Sequence, residues 1–259
     1  MIQLIYDGLS IKDDSIVYDS AVDSDTDIMN TVTPDIYMSE FGGNVYYFGY
    51  RFKDTASRKD RTTIIHWLKG INGNSINKDA LHRFIDKPIK YLNKSVDLSE
   101  FSCMVYPKSG RSDLTKEIIT ELNNFAQRDT VKTCAEFFKE IPKNIEFDWE
   151  LFDSEYEGDI GDNQYNQIKN YVNNDLIPKI HSLEYFSIAN SVKTKYRRYI
   201  KNYLTIDNRS EQVIHSIKNG KVLIVDDINT SGSTLNEIIR KIRKINNSCE
   251  IFIFTLIGK

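Results

Sequence analysis

One segment in the C-terminal part of the sequence restricts the possible folds more than any other. Residues 222–234 read Val-Leu-Ile-Val-Asp-Asp-Ile-Asn-Thr-Ser-Gly-Ser-Thr: an aliphatic run, two acidic residues, then small and hydroxyl residues that lead into an amphipathic helix. A short aliphatic run of this kind is typical of a buried parallel strand, and ligands of such sheets lie beyond the carboxyl ends of the strands. We therefore predict that Asp226 and Asp227 lie at the ligand-binding edge of an α/β sheet.

The loop after this strand has the composition of an anion-binding site. Its hydroxyl groups, its backbone amides and the positive end of the following helix suit a phosphate-sized ligand. Carboxylates next to a phosphate would repel it unless they bind another part of the ligand. Ribose hydroxyls donate hydrogen bonds to carboxylates and meet that requirement. The segment thus predicts a ligand that combines a ribose with a phosphate.

The surrounding sequence alternates between strand and helix patterns. Residues 101–106 and 250–257 are apolar runs of strand length, whereas residues 234–245 repeat their apolar side chains at helical spacing. A strand, a helix and a strand at these distances predict a right-handed crossover and a parallel sheet. Further towards the N-terminus, alternating residues around a turn at Gly42 and Gly43 predict strands or hairpins, followed by two helices.

The segment 222–234 resembles, without a gap, the motif with which type I phosphoribosyltransferases bind phosphoribosyl pyrophosphate (PRPP). This resemblance implies a parallel sheet flanked by helices, with a hood, and it assigns the ribose hydroxyls to Asp226 and Asp227 as the catalytic pair. The residues that it assigns to the 5-phosphate are Asn229, Thr230, Ser231, Gly232, Ser233 and Thr234. Because one strand pattern follows the helix of the motif, the chain most resembles the ComF-type, competence-associated group of this family.

Two other kinds of site also place acidic residues after an aliphatic strand. A Walker B strand would need a GxxxxGK[ST] loop, and the sequence contains none. A receiver-like acidic pocket would leave the run of small and hydroxyl residues at 230–234 unexplained. Both alternatives are therefore less favoured than the phosphoribosyl site.

A second motif follows the strand pattern at 101–106. It resembles the pyrophosphate loop of the same family and comprises Lys108, Ser109, Gly110, Arg111 and Ser112. The two cations could neutralise phosphates, and the small residues would let backbone donors approach the ligand closely. The alternative is an ordinary turn in which Ser112 caps the next helix.

A third candidate is the basic and aromatic cluster at 193–201. Its cations Lys193, Lys195, Arg197 and Arg198 are predicted to form a lid over the pyrophosphate. A solvated helix face is the competing interpretation, and the acidic segment 146–162 could pair with the cluster when the site is empty. Alternating tyrosines and arginines also suit single-stranded nucleic acid, which the net charge of −3 makes the least favoured choice.

The resemblance also suggests how the chain is divided. We expect an N-terminal extension of β-hairpins and helices at 1–95 and a phosphoribosyltransferase-like domain at 96–259, with 141–205 as a hood or insertion. The segment 146–162 is acidic and contains no Lys or Arg, which predicts a solvated loop held by a few aromatic residues.

Composition excludes several other functions. The three cysteines, Cys103, Cys134 and Cys249, lack CxxC spacing, so neither a disulfide framework nor a zinc site is predicted. No stretch has the length and hydrophobicity of a membrane span, and the N-terminus lacks a signal-peptide pattern, so we expect a cytoplasmic protein. No metal site is predicted from protein side chains alone.

Together with these features, the resemblance implies a phosphoribosyltransferase, a pentosyl transferase of nucleotide metabolism. It would move the 5-phosphoribosyl group of PRPP to an unidentified amine or nucleobase, with Mg²⁺ bound mainly through PRPP. Two alternatives stay open: a regulator that senses PRPP without turnover, and a ComF-like accessory protein in DNA uptake. The sequence identifies neither the acceptor nor the catalytic base, and a homodimer is left open.

Overall fold

The fold is known from a computed structural model, which describes residues 8–12, 15–19, 29–31, 37–52, 56–71, 76, 78–108, 112–126, 134–156 and 161–258. The strands are β1 (Gly8–Lys12), β2 (Ser15–Asp19), β3 (Met29–Thr31), β4 (Tyr37–Phe41), β5 (Asn44–Phe52), β6 (Phe101–Pro107), β7 (Cys134–Lys139), β8 (Glu146–Phe147), β9 (Ile200–Lys201), β10 (Leu204–Ile206), β11 (Lys221–Ile228) and β12 (Glu250–Gly258). The helices are α1 (Arg58–Leu68), α2 (Lys78–Ser95), α3 (Leu114–Ala126), α4 (Trp149–Tyr156), α5 (Asp162–Tyr171), α6 (Ile177–His181), α7 (Ile188–Ser191), α8 (Asn208–Ser216) and α9 (Ser233–Ile245).

An eight-stranded sheet forms the centre of the described structure. Its strand order is β10-β7-β6-β11-β12-β5-β3, and β4 also pairs with β5. The five strands from β7 to β5 run parallel, while β10, β3 and β4 are antiparallel additions at the two edges. This architecture confirms the predicted α/β fold with a parallel sheet flanked by helices.

The aliphatic run of β11 is completely buried because the sheet is covered on both faces. Val222 and Ile224 belong to the core shared with α8, α9 and the hood, whereas Leu223 and Val225 belong to the core shared with α1, α2 and α3. Each such side chain stabilises the fold by about 1.5–3 kcal/mol relative to an exposed position. The run of four aliphatic residues is therefore explained by burial on both faces of a parallel strand.

The N-terminal part of the chain contributes directly to this sheet. β5 pairs in parallel with β12, the last strand, and its residue Tyr50 is stacked on Phe84 of α2 at 4.1 Å between ring centroids. Gly42 and Gly43 form the predicted turn before β5, and both have the positive φ angles that favour glycine there. α1 follows β5 and ends near the carboxyl end of β11.

The segment predicted to be a hood lies between β7 and β10 and consists of β8, α4, α5, α6, α7 and β9; we refer to it as the hood. A π-helical turn joins α5 to α6, and a 3₁₀ turn at Thr194–Tyr199 precedes β9. The prediction of a solvated loop at 146–162 is wrong for its described part, which forms β8 and α4 and the start of α5. Phe147 and Phe152 are buried in an aromatic cluster with Tyr199, and this burial orders the segment.

The acidic segment contacts the basic cluster at 193–201. Glu155 forms an ion pair with Arg198 and accepts a hydrogen bond of 2.6 Å from the Tyr199 hydroxyl, and Asp148 lies 3.5 Å from Lys201. β8 and β9 add an antiparallel pair between the same two segments.

Among the described helices, none has the combination of length and apolar character that crossing a membrane requires.

Candidate functional site

A cavity of about 300 Å³ opens at the carboxyl end of β11, between the sheet edge and the hood. The acidic side chains that line it are Asp226 and Asp227, and the hydroxyl side chains include Thr230, Ser231 and Thr234 from the loop that follows. The cations that line it are Lys69, Lys108, Lys139 and Arg197. Carboxylates, hydroxyls and four cations therefore meet in one space, as a ligand with ribose and phosphate groups requires.

The two aspartates are buried in different surroundings because alternate residues of a strand face opposite sides of the sheet. Asp226 is 8% exposed and its Oδ1 accepts a hydrogen bond of 2.8 Å from the Asp227 amide. Burial raises the pKa of Asp226 to about 7; the charge of Asp227 raises this pKa as well, and Lys69 lowers it in part. Burial therefore disfavours the charged form of Asp226.

Asp227 is 4% exposed and is bound by Lys69. The Lys69 Nζ lies 2.9 Å from Oδ1 and 2.8 Å from Oδ2 of this carboxylate. Burial alone would lower the pKa of Lys69, but the two aspartates outweigh that effect and the pKa is raised. Lys69 is therefore a charged partner of the acidic pair.

Sequence reasoning missed Lys69 because it precedes Asp227 by 158 positions and directly follows α1. A lysine at the end of a helix is common for a local reason, since cations favour the negative end of the helix dipole. No local pattern in the sequence distinguishes this lysine from such residues.

The segment 229–234, which comprises the loop after β11 and the first two residues of α9, presents only part of the predicted phosphate-binding set to the cavity. Thr230, Ser231 and Thr234 line it. Asn229 is buried on the other side, where its side chain donates a hydrogen bond of 3.3 Å to the Tyr46 hydroxyl. Gly232 and Ser233 are also buried, and neither lines the cavity.

The first turn of α9 begins at the end of this loop. Gly232 precedes it with a φ of 73°, and this N-cap residue supplies no side chain to cap the amides of the turn. Amides at a helix N-terminus that no side chain caps are suited to bind an anion.

Gly232→Ala tests whether this loop conformation is required. A Cβ atom would lie 2.6 Å from the Phe41 ring, and a φ of 73° is unfavourable for alanine. We expect a destabilisation of about 1–3 kcal/mol and a loss of ligand binding at this loop. Urea unfolding measures the first effect, and titration with ribose 5-phosphate measures the second. Gly161→Ala is the control because its Cβ would meet no neighbour; equal stability of the two variants would contradict the expectation.

The predicted pyrophosphate loop is described only at its two ends. Lys108 lines the cavity with its side chain 57% exposed, and its Nζ lies 3.6 Å from Glu136. The Ser112 hydroxyl accepts a hydrogen bond of 3.2 Å from the Leu114 amide at the start of α3, which is the contact of a helix cap. Ser109, Gly110 and Arg111 lie outside the described residues.

One of the four predicted lid cations lines the cavity. Arg197 does so, and it donates hydrogen bonds to the backbone carbonyls of Val192 and Ala189 at 2.9 and 2.6 Å. The other three bind within the hood: Lys193 lies over the Tyr171 ring, Lys195 over the Tyr196 ring, and Arg198 pairs with Glu155. Lys139 and Tyr203, which no sequence pattern indicated, also line the cavity.

A larger cavity of about 900 Å³ lies between α1, α2 and α3. It shares Lys69 with the first cavity but is lined by neither aspartate and by no residue of the loop at 228–234. Size alone does not make it the functional site, because the groups that suit a phosphorylated sugar line the smaller cavity.

Comparison with protein families agrees with this geometry. Residues 184–259 match the family model described as phosphoribosyl transferase domain. Residues 184–259 are therefore similar to a phosphoribosyl transferase domain. The match confirms the resemblance to type I phosphoribosyltransferases. No curated protein matched the chain.

The matched residues 184–259 contain the whole 222–234 segment, together with Arg197 and Tyr203. Lys69, Lys108 and Lys139 line the same cavity but precede the matched residues. The cavity thus combines the matched segment with cations from earlier parts of the chain.

Proposed function

We propose that the protein transfers a 5-phosphoribosyl group from PRPP to a nitrogen acceptor and releases pyrophosphate. The observation that carries the proposal is the position of Asp226 and Asp227, which line one cavity with the hydroxyls of the loop at 230–234 and with four cations. The phosphoribosyl transferase domain supports PRPP as the substrate. The acceptor that we expect is an amine or a nucleobase.

In this proposal the acidic pair holds the sugar. The ribose 2- and 3-hydroxyls donate hydrogen bonds to Asp226 and Asp227, and the hydroxyls and amides of the loop at 230–234 bind the 5-phosphate. Lys69 does not prevent this, because a carboxylate has about four lone-pair sites and can accept from a lysine and a hydroxyl together. Fixing both ends of the sugar positions C1 for attack.

The reaction replaces one bond at C1. The acceptor nitrogen gives its lone pair to C1, the bond from C1 to the pyrophosphate oxygen breaks with its electron pair on that oxygen, and the acceptor loses one proton. Negative charge grows on the leaving pyrophosphate, so cations near it lower the barrier. Lys108 is the described cation of the predicted pyrophosphate loop, and Lys69 adds a second positive charge to the same cavity.

The residues fit Mg²⁺ as a companion of PRPP rather than as a resident ion. Within the described ranges, no group of three or more His, Cys, Asp or Glu residues could hold a metal. Asp227 is already paired with Lys69, and burial disfavours the charged form of Asp226. When bound with PRPP, Mg²⁺ would supply further charge neutralisation on the pyrophosphate.

The test is a PRPP binding titration combined with an assay of pyrophosphate release. The wild-type protein is titrated with PRPP and Mg²⁺ and then supplied with a panel of nucleobases and aromatic amines. Binding with pyrophosphate release for at least one acceptor supports the transferase. Binding without release for any acceptor supports the PRPP-sensing regulator, and absence of PRPP binding contradicts the proposal. The ComF-like role stays a prediction. A protein with that role would need a protein or nucleic-acid partner for its activity.

Lys108→Ala combined with Arg111→Ala tests the leaving-group site. We expect the double variant to bind PRPP and free pyrophosphate about 10-fold or more weakly, because two charge-assisted contacts are lost. Its affinity for ribose 5-phosphate should stay within about twofold of wild type. Calorimetric titrations measure all three ligands. Lys90→Ala with Lys94→Ala on α2 removes the same charge outside the cavity and is the control; unchanged pyrophosphate affinity in the test variant would contradict the role of this loop.

A further inference from the structure

Tyr203 lines the cavity, and its hydroxyl group is buried beside it. The side chain is 5% exposed and its ring packs against Phe186 at 5.9 Å between centroids. Among the described residues its hydroxyl has no partner with good hydrogen-bond geometry, although the Thr234 side chain is close enough to lower the pKa of Tyr203. Buried hydroxyl groups almost always have a partner, so an unpartnered one beside a ligand cavity indicates a group that bonds to the ligand.

The surroundings of this hydroxyl keep it neutral. Burial raises the pKa of Tyr203 well above its usual value, the charges of Glu237 and Asp226 raise it further, and Thr234 and Arg240 lower it in part. Tyr203 is therefore a hydrogen-bond donor over the whole physiological pH range. Thr234, its neighbour, belongs to the loop that is proposed to bind the 5-phosphate.

An ion pair between the buried Glu237 and the partly exposed Arg240 holds the backbone next to Tyr203. Glu237 of α9 is buried and accepts hydrogen bonds of 2.8–3.0 Å from Arg240. Arg240 also donates a bond of 3.0 Å to the side chain of Asn202. Asn202 directly precedes Tyr203 and has a left-handed φ of 61°, which asparagine adopts more readily than most residues.

The ion pair ties Tyr203 to the helix that begins at the phosphate loop. Glu237 follows Thr234 by about one turn of α9, so the Asn202 contact and the loop are parts of one rigid element. Burying a carboxylate is unfavourable unless it is paired and hydrogen-bonded. Burial of Glu237 thus costs free energy that its pairing with Arg240 offsets. The ion pair also fixes the position of Asn202 and Tyr203 relative to the loop.

We propose that the Tyr203 hydroxyl donates a hydrogen bond to the 5-phosphate of the bound ligand, and that Glu237, Arg240 and Asn202 act as positioning residues for it. The inference rests on the proposed function, since it assumes a phosphoribosyl ligand. The proposed hydrogen bond makes recognition of the 5-phosphate depend on Tyr203, a residue outside the segment 229–234. A phosphate oxygen is a good acceptor for a neutral phenol, and a charged acceptor strengthens the bond.

Tyr203→Phe removes the hydroxyl and keeps the ring against Phe186. We expect the affinity for PRPP and for ribose 5-phosphate to fall by the same factor, about 10- to 100-fold, as for loss of a hydrogen bond to a charged group. Affinity for Mg²⁺-pyrophosphate should stay at the wild-type value. Tyr196→Phe is the matched control, because Tyr196 is a buried hood tyrosine that does not line the cavity.

Three outcomes overturn the inference in distinguishable ways. Wild-type affinity of Tyr203→Phe for ribose 5-phosphate excludes the phosphate contact alone. An equal loss of affinity for Mg²⁺-pyrophosphate means that Tyr203→Phe disturbs the whole cavity and not the phosphate contact alone. If the wild-type protein binds neither PRPP nor ribose 5-phosphate, the proposed function fails and the inference fails with it.

Asn202→Gly tests the positioning residues separately. Glycine keeps the left-handed backbone but removes the acceptor of Arg240, so the ring of Tyr203 is less firmly placed. We expect ribose 5-phosphate affinity to fall by about threefold, with pyrophosphate affinity unchanged, and no additional loss when the change is added to Tyr203→Phe. Full additivity of the two changes would show that Asn202 acts independently of the tyrosine and would overturn this part.

Discussion

Asp226→Asn combined with Asp227→Asn is expected to weaken PRPP binding by more than about 100-fold. The reason is the loss of two charged acceptors for the ribose hydroxyls, each of which contributes about 1.5–3 kcal/mol. Titration calorimetry with PRPP and Mg²⁺ measures the change. Asp148→Asn is the control, since that carboxylate pairs with Lys201 in the hood and does not line the cavity. Wild-type affinity in the double variant would remove the acidic pair from the sugar site.

Asp226→Asn alone is also expected to change the stability of the ligand-free protein. The pKa of Asp226 is raised to about 7 in the folded protein, above the ordinary value of 3.8. A raised pKa means that this group contributes stability below its unfolded pKa and that the contribution is lost as the pH rises from about 4 to about 7. Asp226→Asn should therefore make the ligand-free protein more stable than wild type at pH 8, by on the order of 2–4 kcal/mol, with the difference disappearing towards pH 4.

The sheet and its ligand-binding edge could be predicted because their signals are local. Val222 to Val225 are aliphatic because the strand is covered on both faces, and the acidic residues follow where that strand ends. The small and hydroxyl residues at 230–234 are local as well, since the chain must turn into α9 there. A contiguous segment of sequence therefore contained the strand, the turn and the helix start together.

The position of β5 beside β12 could not be predicted in the same way. β5 has the alternation of an ordinary strand, and its neighbour in the sheet lies at the other end of the chain. Pairing between distant segments depends on the packing of the whole sheet, which no local pattern contains. The contribution of Lys69 depends on this arrangement, because α1 follows β5 and carries the lysine to the cavity.

The basic cluster at 193–201 shows a second limit. Composition predicts cations near the hood but does not tell which of them face the ligand. In the 3₁₀ turn at Thr194–Tyr199, Tyr196 and Tyr199 are buried, and the intervening cations point in different directions. Arg197 reaches the cavity while Arg198 pairs with Glu155. Residues that are adjacent in the sequence therefore have different surroundings, and only the backbone geometry of the turn decides which of them faces the cavity.

Lys69→Met is expected to destabilise the ligand-free protein by about 3–5 kcal/mol, because it leaves the buried carboxylate of Asp227 without its partner. The double variant Lys69→Met with Asp227→Asn should recover most of that loss, since it removes the unpaired charge as well. Asp227→Asn alone should cost less than Lys69→Met, because the Lys69 side chain is 24% exposed and can turn its ammonium group towards water.

Urea unfolding of the four proteins of this cycle measures the coupling free energy between Lys69 and Asp227. Lys90→Met is the control, because Lys90 forms an exposed ion pair with Asp86 on α2 and such pairs contribute about 0–1 kcal/mol. Additive effects of the two changes would mean that the ion pair does not stabilise the fold. Strong coupling would mean that α1, far from the matched family region in sequence, is held to the acidic pair by charge. A ligand that binds Asp227 would then act on the position of α1 as well as on the loop after β11.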